Sequence, residues 1–273
     1  MTAGAKHAWP SAATDAYPRQ PSVFILRVWA ENGGIRVAGS IEIKVLSTTA
    51  MKTVFEALAE RFERETGNSL AVSLGPSAQL ERRIAEGEAA DVAIIAQAGA
   101  EDLTARGSLV PGSLVAVARS SIGIAVANGA AKPDIATPDA FKRALLAAKS
   151  IAVSKPVGGG QSGAHMAKIF DQLGIAKAMA AKAKYGAGGA AGLAGLVVRR
   201  GEAELGIQQM AELMAVEGID VVGPLPDELQ SVTLFTAAIP AAASHPQAGR
   251  GLIDFIVTPA AKSVIKARGL EPA

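Results

Sequence analysis

The chain has no cysteine, so disulfides, thiolate metal sites and a cysteine nucleophile are all ruled out. Aromatic residues make up only 4% of its 273 residues, too few for a platform on which nucleic-acid bases could stack. The three histidines, His7, His165 and His245, are too scattered in sequence to suggest a metal centre. Nothing approaches the run of about 20 apolar residues that a membrane-spanning helix needs. An excess of one charge is missing too. The formal +2 arises within residues 1–40, where Lys6, Arg19, Arg27 and Arg36 outnumber Asp15 and Glu31, so the remainder is formally neutral. Polyanion binding is therefore disfavoured, and no nucleic-acid partner is expected.

What is present is a chain that is 49% hydrophobic, with 29 glycines, long enough for one large domain or two smaller ones. Residues 1–40 carry Pro10, Pro18, Pro21 and Gly33-Gly34 and read as a flexible leader or a mis-assigned start. The one early apolar run, Val23 to Ala30, is broken by Arg27 and is short for a secretory signal. Localisation is thereby left open between periplasm and cytoplasm.

From Ile41 the pattern becomes regular. A strand, Ile41 to Leu46, runs into Ser47-Thr48-Thr49, and a helix follows with apolar residues at Met51, Val54, Phe55, Leu58 and Phe62 and a stop at Gly67. A second strand, Leu70 to Leu74, leads through Gly75-Pro76-Ser77 into a helix carrying Leu80 and Ile84. Small hydroxyl residues thus stand at the carboxyl ends of two successive strands. In an open parallel sheet that edge is where ligands bind, and a helix N-terminus there presents unpaired N–H groups and a positive dipole end to an anion. Read alone, either group of hydroxyls could equally be a helix cap.

The second half repeats this order. A strand, Ile151 to Ser154, enters the loop Lys155 to Gly163 with Gly158-Gly159-Gly160, and a helix follows with Met166, Ile169, Phe170 and Leu173 at helical spacing. The glycine run lacks the Gly-Lys-Ser/Thr ending of a nucleotide loop. A second glycine-rich stretch, Gly186 to Gly192, opens a helix through Arg200, and strands follow at Leu205 to Gln208, Ile219 to Val222 and Val232 to Ile239. Thr137-Pro138-Asp139 is a helix start of cap, proline and acid. Alternating strands and helices predict α/β architecture with mostly parallel sheets. Two lobes are expected, residues 41–119 with 240–273 and residues 120–239, closing on a ligand by a hinge.

Four stretches carry a resemblance: VLSTTAMKTVFEALAERFERETG (Val45 to Gly67), GPSAQLERRIAEGEAADVAI (Gly75 to Ile94), GGGQSGAHMAKIFDQLGI (Gly158 to Ile175) and RRGEAELGIQQ (Arg199 to Gln209). Together, in this order, they resemble the molybdate-type periplasmic solute-binding proteins. The resemblance implies the type II periplasmic-binding-protein fold, a small anionic ligand, no cofactor or metal, a monomer, and an ABC permease as the partner of a transport receptor. Its second-loop serine falls on Ser77, and its second-lobe backbone donor falls near Ser162-Gly163. Its first-loop serine falls on Ala50, just after Ser47, Thr48 and Thr49, and its capping tyrosine falls on Gln209. Molybdate sites of this family use neutral donors, so Lys52 in the first turn of its helix points to another anion, a small carboxylate. The expected binding set is Ser47, Thr48, Thr49, Lys52, Ser77, Ser162, Gly163 and Gln209. Proteins similar to this family serve as aconitate isomerases; on that alternative His165 and Lys52 are the candidates for proton transfer, since an ordinary imidazole titrates at about 6.5. LysR-type regulators share the fold, but residues 1–40 are too short and too rich in Pro and Gly to supply a winged helix.

Overall fold

The structure is a computed structural model that describes residues 40–157, 160–186 and 192–273. The leader, Gly158-Gly159 of the glycine loop and residues 187–191 lie outside the described residues. Strand β1 (Glu42–Thr48) places Ile43 and Val45 on one face and Leu46 on the other, as the two-residue period of a strand requires. A 3-10 turn (Thr49–Met51) leads into α1 (Lys52–Thr66), whose buried residues are Val54, Phe55, Leu58, Ala59 and Phe62. Gly67 ends α1 in the left-handed region, φ 73°, where its N–H reaches the Glu63 carbonyl at 2.8 Å. Then come β2 (Ser69–Gly75), α2 (Ser77–Ala85), β3 (Val92–Ala96), α3 (Gln97–Ala105) and β4 (Val115–Ser120).

The chain crosses directly from β4 into β5 (Ile122–Ala127), with Ser121 alone between them. The other region holds α4 (Pro138–Ala147), β6 (Ile151–Val153), α5 (Gln161–Gln172), α6 (Ala176–Lys182), β7 (Ala183–Tyr185), α7 (Ala194–Arg199), β8 (Leu205–Gln209), α8 (Met210–Met214) and β9 (Ile219–Pro224). Thr137 caps α4 as its sequence predicts, its hydroxyl accepting from the Ala140 N–H at 3.2 Å. The chain returns through a short 3-10 turn (Asp227–Leu229) into β10 (Thr233–Ala238), α9 (Pro246–Ile256), α10 (Pro259–Ala267) and β11 (Glu271–Pro272).

Two sheets result, ordered β11-β4-β10-β3-β1-β2 and β7-β6-β8-β5-β9. Helices cover both faces of the first: α1, α9 and α10 over Ile43, Val45, Phe55, Phe62 and Ile253, and α2 and α3 over Leu46, Leu80, Ile84 and Leu103. Phe141, Met166, Ile169, Phe170 and Ile207 form the main core of the second, and α7 closes its other face through Val197 and Val198.

Two expectations need correction. Neither sheet is mostly parallel in the sense predicted: β1, β2 and β3 run parallel and β6 runs parallel to β7 and β8, but β10 is antiparallel to β3 and β4, and β5 is antiparallel to β8 and β9. The strand at 233–238, expected with the second lobe, is hydrogen-bonded inside the first sheet between β3 and β4. An antiparallel insertion needs only that the chain re-enter from the opposite end, which the return from β9 supplies.

Gln230 ties the two crossings together. Its Oε1 accepts from the Ile122 N–H at 2.9 Å and its Nε2 donates to the Ile122 carbonyl at 3.0 Å, so one amide side chain imitates a strand neighbour. This places a backbone-like hydrogen-bonded pair at the point where the two sheets connect.

Candidate functional site

Parallel pairing brings the carboxyl ends of β1, β2 and β3 to a common edge. Thr48 lies level with Gly75, and Ser47 with both Leu74 and Ile94. Ser47, Thr48, Thr49 and Ser77 are therefore neighbours in space, and all four are buried. None of them caps a helix. The residues in the cap positions of α1 and α2 are Met51 and Pro76, and no side chain bonds the first turns there. The Ser77 hydroxyl instead accepts a long 3.4 Å bond from the Ala96 N–H, and the Ser47 hydroxyl donates to the Thr48 carbonyl at 3.3 Å. Among the described residues the Thr48 and Thr49 hydroxyls have no hydrogen-bond partner, and they are not sealed from solvent. Buried hydroxyls that neither cap nor pair leave donors available to a guest.

The second sheet repeats the arrangement, since Val153 is level with Tyr185 and Ile207 and puts the ends of β6, β7 and β8 together. Ser162, 1% exposed, sits in the first turn of α5, its hydroxyl 3.5 Å from that of Ser154. Gly163 packs against the carbonyl oxygens of Ser154 and Lys155 so closely that a Cβ would overlap both. The glycine lets the first turn of α5 approach the strand end.

The two edges meet where α8, at the end of β8, packs on the 3-10 turn Thr49–Met51 of the first lobe, with Ala211 entering the first lobe's core. Ser47, Thr48 and Thr49 are thus brought towards Gln208, Gln209 and the first turn of α8. Gln209 occupies the junction. Oriented to satisfy its neighbours, its amide oxygen accepts from the Thr233 hydroxyl at 3.0 Å, and its NH2 donates to the Ser120 hydroxyl at 2.9 Å and to the Ser120 and Ser121 carbonyls. Both crossing segments are held by this one side chain, which ties the two sheets together.

Lys52 and His165 each have a partner within the protein. The Lys52 ammonium pairs with Glu56 at 2.6 Å one helical turn on, with the side chain 29% exposed. Its charge is compensated along α1. The His165 Nε2 lies 2.8 Å from the Leu229 carbonyl, the geometry of an Nε2–H donor, and this bond fastens α5 to the returning turn.

Glu212, in the first turn of α8, is the residue that sequence reasoning missed. The Gln208 side chain and the Gln209 backbone N–H favour its charged form, and Gln208 Oε1 accepts from the Ala194 N–H at 2.6 Å. The residue is half-buried. Burial lifts its pKa to about 7, outweighing the two donors that pull it down. One signal was legible: Glu212 stands three residues after the cap position Gln209, the spacing at which an acid bonds back to the cap's own N–H.

Among the described residues no group of three or more acids and histidines could hold a metal ion, and no helix is long and apolar enough to cross a membrane. The arrangement offers neutral hydroxyl and N–H donors together with one carboxyl that can hold a proton near neutrality.

Comparison with known proteins agrees with this architecture. A Pseudomonas sp. aconitate isomerase is 34% identical over 263 residues, 94% of this chain and 98% of that protein. The periplasmic molybdate-binding protein of Azotobacter vinelandii superposes with a TM-score of 0.70 at 22% identity, over 84% of this chain and 98% of that one. The sulfate-binding protein of Mycobacterium tuberculosis H37Rv gives 0.69 at 18%, over 86% and 87%. At those identities the two structures share the fold with this chain. The family model of the bacterial extracellular solute-binding proteins matches residues 43–271, and with it the chain belongs to that family.

Proposed function

We propose that the protein holds a small carboxylate anion between the facing edges of its two sheets, using hydroxyl and backbone N–H donors. The observation that carries this reading is the set of buried hydroxyls, Ser47, Thr48, Thr49, Ser77 and Ser162, gathered at strand ends without capping a helix. Each hydrogen bond to a charged guest contributes about 1.5–3 kcal/mol net, so a few suffice for useful affinity. With Lys52 paired to Glu56, the preference for a carboxylate over an oxyanion rests on the near full-length relative, whose name refers to a tricarboxylate. A transport receptor of this kind would deliver its ligand to an ABC permease.

A second reading, isomerisation of trans- to cis-aconitate, is favoured by that relative and by a carboxyl poised near neutrality at the site. Thermal-shift measurements with molybdate, tungstate, sulfate, phosphate, citrate and both aconitates test the binding proposal. A carboxylate at a hundred times its Kd stabilises by about 2.7 kcal/mol, expected as a rise of several degrees in Tm. Oxyanions are expected to give less. A flat response to every anion would remove the proposal.

A further inference from the structure

Helix α8 has five residues, barely one turn, and no side chain caps it. A helix this short is not held by its own hydrogen bonds, so its packing must hold it. Met210 and Met214 stand at its two ends, at i and i+4, and so share a face. Each lands on a glycine. Met210 Sδ fills the space that a Cβ on Gly123 of β5 would need, and Met214 Sδ fills the space that a Cβ on Gly269 would need. Gly123 has no left-handed backbone, so the close approach of Met210 is reason enough for a glycine there. Gly269 lies between α10 and β11 at φ 78°, and a Cβ on it would also stand 3.5 Å from the Ala211 Cα. Ala211 itself is buried in the first lobe's core together with Ala50 and Met51. One short helix thus touches β5 just past a crossing, the Thr49–Met51 turn and the α10–β11 turn.

The Thr49–Met51 turn depends on support of this kind. A 3-10 turn of three residues has few hydrogen bonds, and their geometry is poor. The Lys52 N–H bonds the Thr49 carbonyl, and no side chain caps the turn. Among the described residues the Thr48 and Thr49 hydroxyls add no bond to the protein. What fixes the turn is the burial of Ala50 and Met51 in the core that Ala211 completes.

We propose that Met214 is a positioning residue for the anion site: seated on Gly269, it holds Ala211 against the Thr49–Met51 turn and so presets the Thr48 and Thr49 hydroxyls for the ligand. The inference rests on the carboxylate-binding reading. Donors already in place bind at a lower ordering cost than donors that must be gathered. The unbranched thioether side chain can follow the glycine seat through small shifts between the lobes. Trimming it leaves Gly269 without its neighbour and α8 with one anchor fewer, which loosens the turn. Met214 does not touch the ligand; its effect runs through Ala211 and the turn.

The test compares the full chain with Met214→Ala and Met214→Leu. Met214 is 50% exposed, so trimming it seals no cavity. Isothermal titration with citrate and trans-aconitate reads affinity, and amide hydrogen exchange of the ligand-free proteins reads the turn through the Lys52 N–H. Met214→Ala is expected to bind the carboxylates about tenfold more weakly and to exchange the Lys52 amide about tenfold faster, with the amides of α2 unchanged. Met214→Leu refills the seat and should bring both quantities to within about threefold of wild type. Affinity of Met214→Ala within about twofold of wild type would overturn the assignment, and so would weaker binding without faster Lys52 exchange. A Leu variant as weak as the Ala variant would overturn it too, since bulk at the seat would then not matter. Wild type that binds neither carboxylate, with Lys52 exchange still faster in Met214→Ala, would remove the carboxylate reading and leave the seat standing; with unchanged exchange, both fall. If Met214→Ala loses its melting transition, Met214→Val takes its place with the same outcomes.

Discussion

The edge of the first sheet presents Ser47, Thr48, Thr49 and Ser77, none of which titrates near neutrality, on three parallel strands held between two helical layers. The edge of the second sheet presents Gln208, Gln209 and Glu212 beside Ser162, and two of its amides are engaged with structural partners. The first edge is neutral; the second holds a carboxyl whose pKa burial raises to about 7, and it is tied to the crossing strands. On the proposed reading, the first lobe supplies most of the grip on an anion and the second the sensitivity to pH. Gln209 and Gln230 sit where the two sheets join, Gln209 bonding to Thr233 and Ser120 of the first sheet and Gln230 to Ile122 of the second.

The strongest way to break this contrast is through Glu212 and stability. Its folded-state pKa lies above the ordinary carboxylate value, at about 7 against 4.5. The folded protein therefore keeps this proton to higher pH than the unfolded chain does. Glu212 favours folding fully below about pH 4.5, loses that contribution as pH rises towards 7, and changes little above it. At about 1.4 kcal/mol per pKa unit the ceiling is on the order of 3 kcal/mol. Glu212→Gln should accordingly raise Tm at pH 8 and leave it nearly unchanged at pH 5, by calorimetry without ligand. Equal Tm differences at both pH values would mean that the second edge is as insensitive to protons as the first.

Ser77→Ala probes the opposite lobe with a smaller effect. Losing one hydroxyl donor to a charged ligand is expected to weaken carboxylate binding about tenfold, near the low end of the 1.5–3 kcal/mol range, with no change in its pH dependence. Isothermal titration at pH 6 and pH 8 reads both quantities. An affinity loss confined to one pH would couple Ser77 to the titrating edge and erase the division between lobes.

How much of this was legible depends on whether the signal was local. Helix α1 could be read because Met51, Val54, Phe55, Leu58 and Phe62 repeat at helical spacing, and the same residues are buried. The strand-end hydroxyls could be read as well, since two hydroxyl-bearing loops directly followed predicted strands; that they do not cap needed coordinates. The placement of β10 between β3 and β4 could not be read, because a strand's composition does not name its neighbours. Helix α8 was missed since five residues give barely one turn and no periodicity, and Glu212 was missed with it. The partner of His165 is a backbone carbonyl on the returning turn, far along the chain, and a carbonyl leaves no mark in sequence.

The smallest expected effect concerns the residue that sequence alone singled out for its charge. Lys52 stands in the first turn of α1, where an ammonium opposes the helix dipole, and Glu56 one turn later neutralises it. Exposed pairs of this kind contribute about 0–1 kcal/mol. Lys52→Ala should shift Tm by no more than a degree or two and change carboxylate affinity less than about twofold, with little dependence on salt. A tenfold loss that fades at high ionic strength would instead place the ammonium beside the ligand. The first edge would then be charged rather than neutral, and the difference between the two lobes would lie in the sign of their charges rather than in the presence of a titrating group.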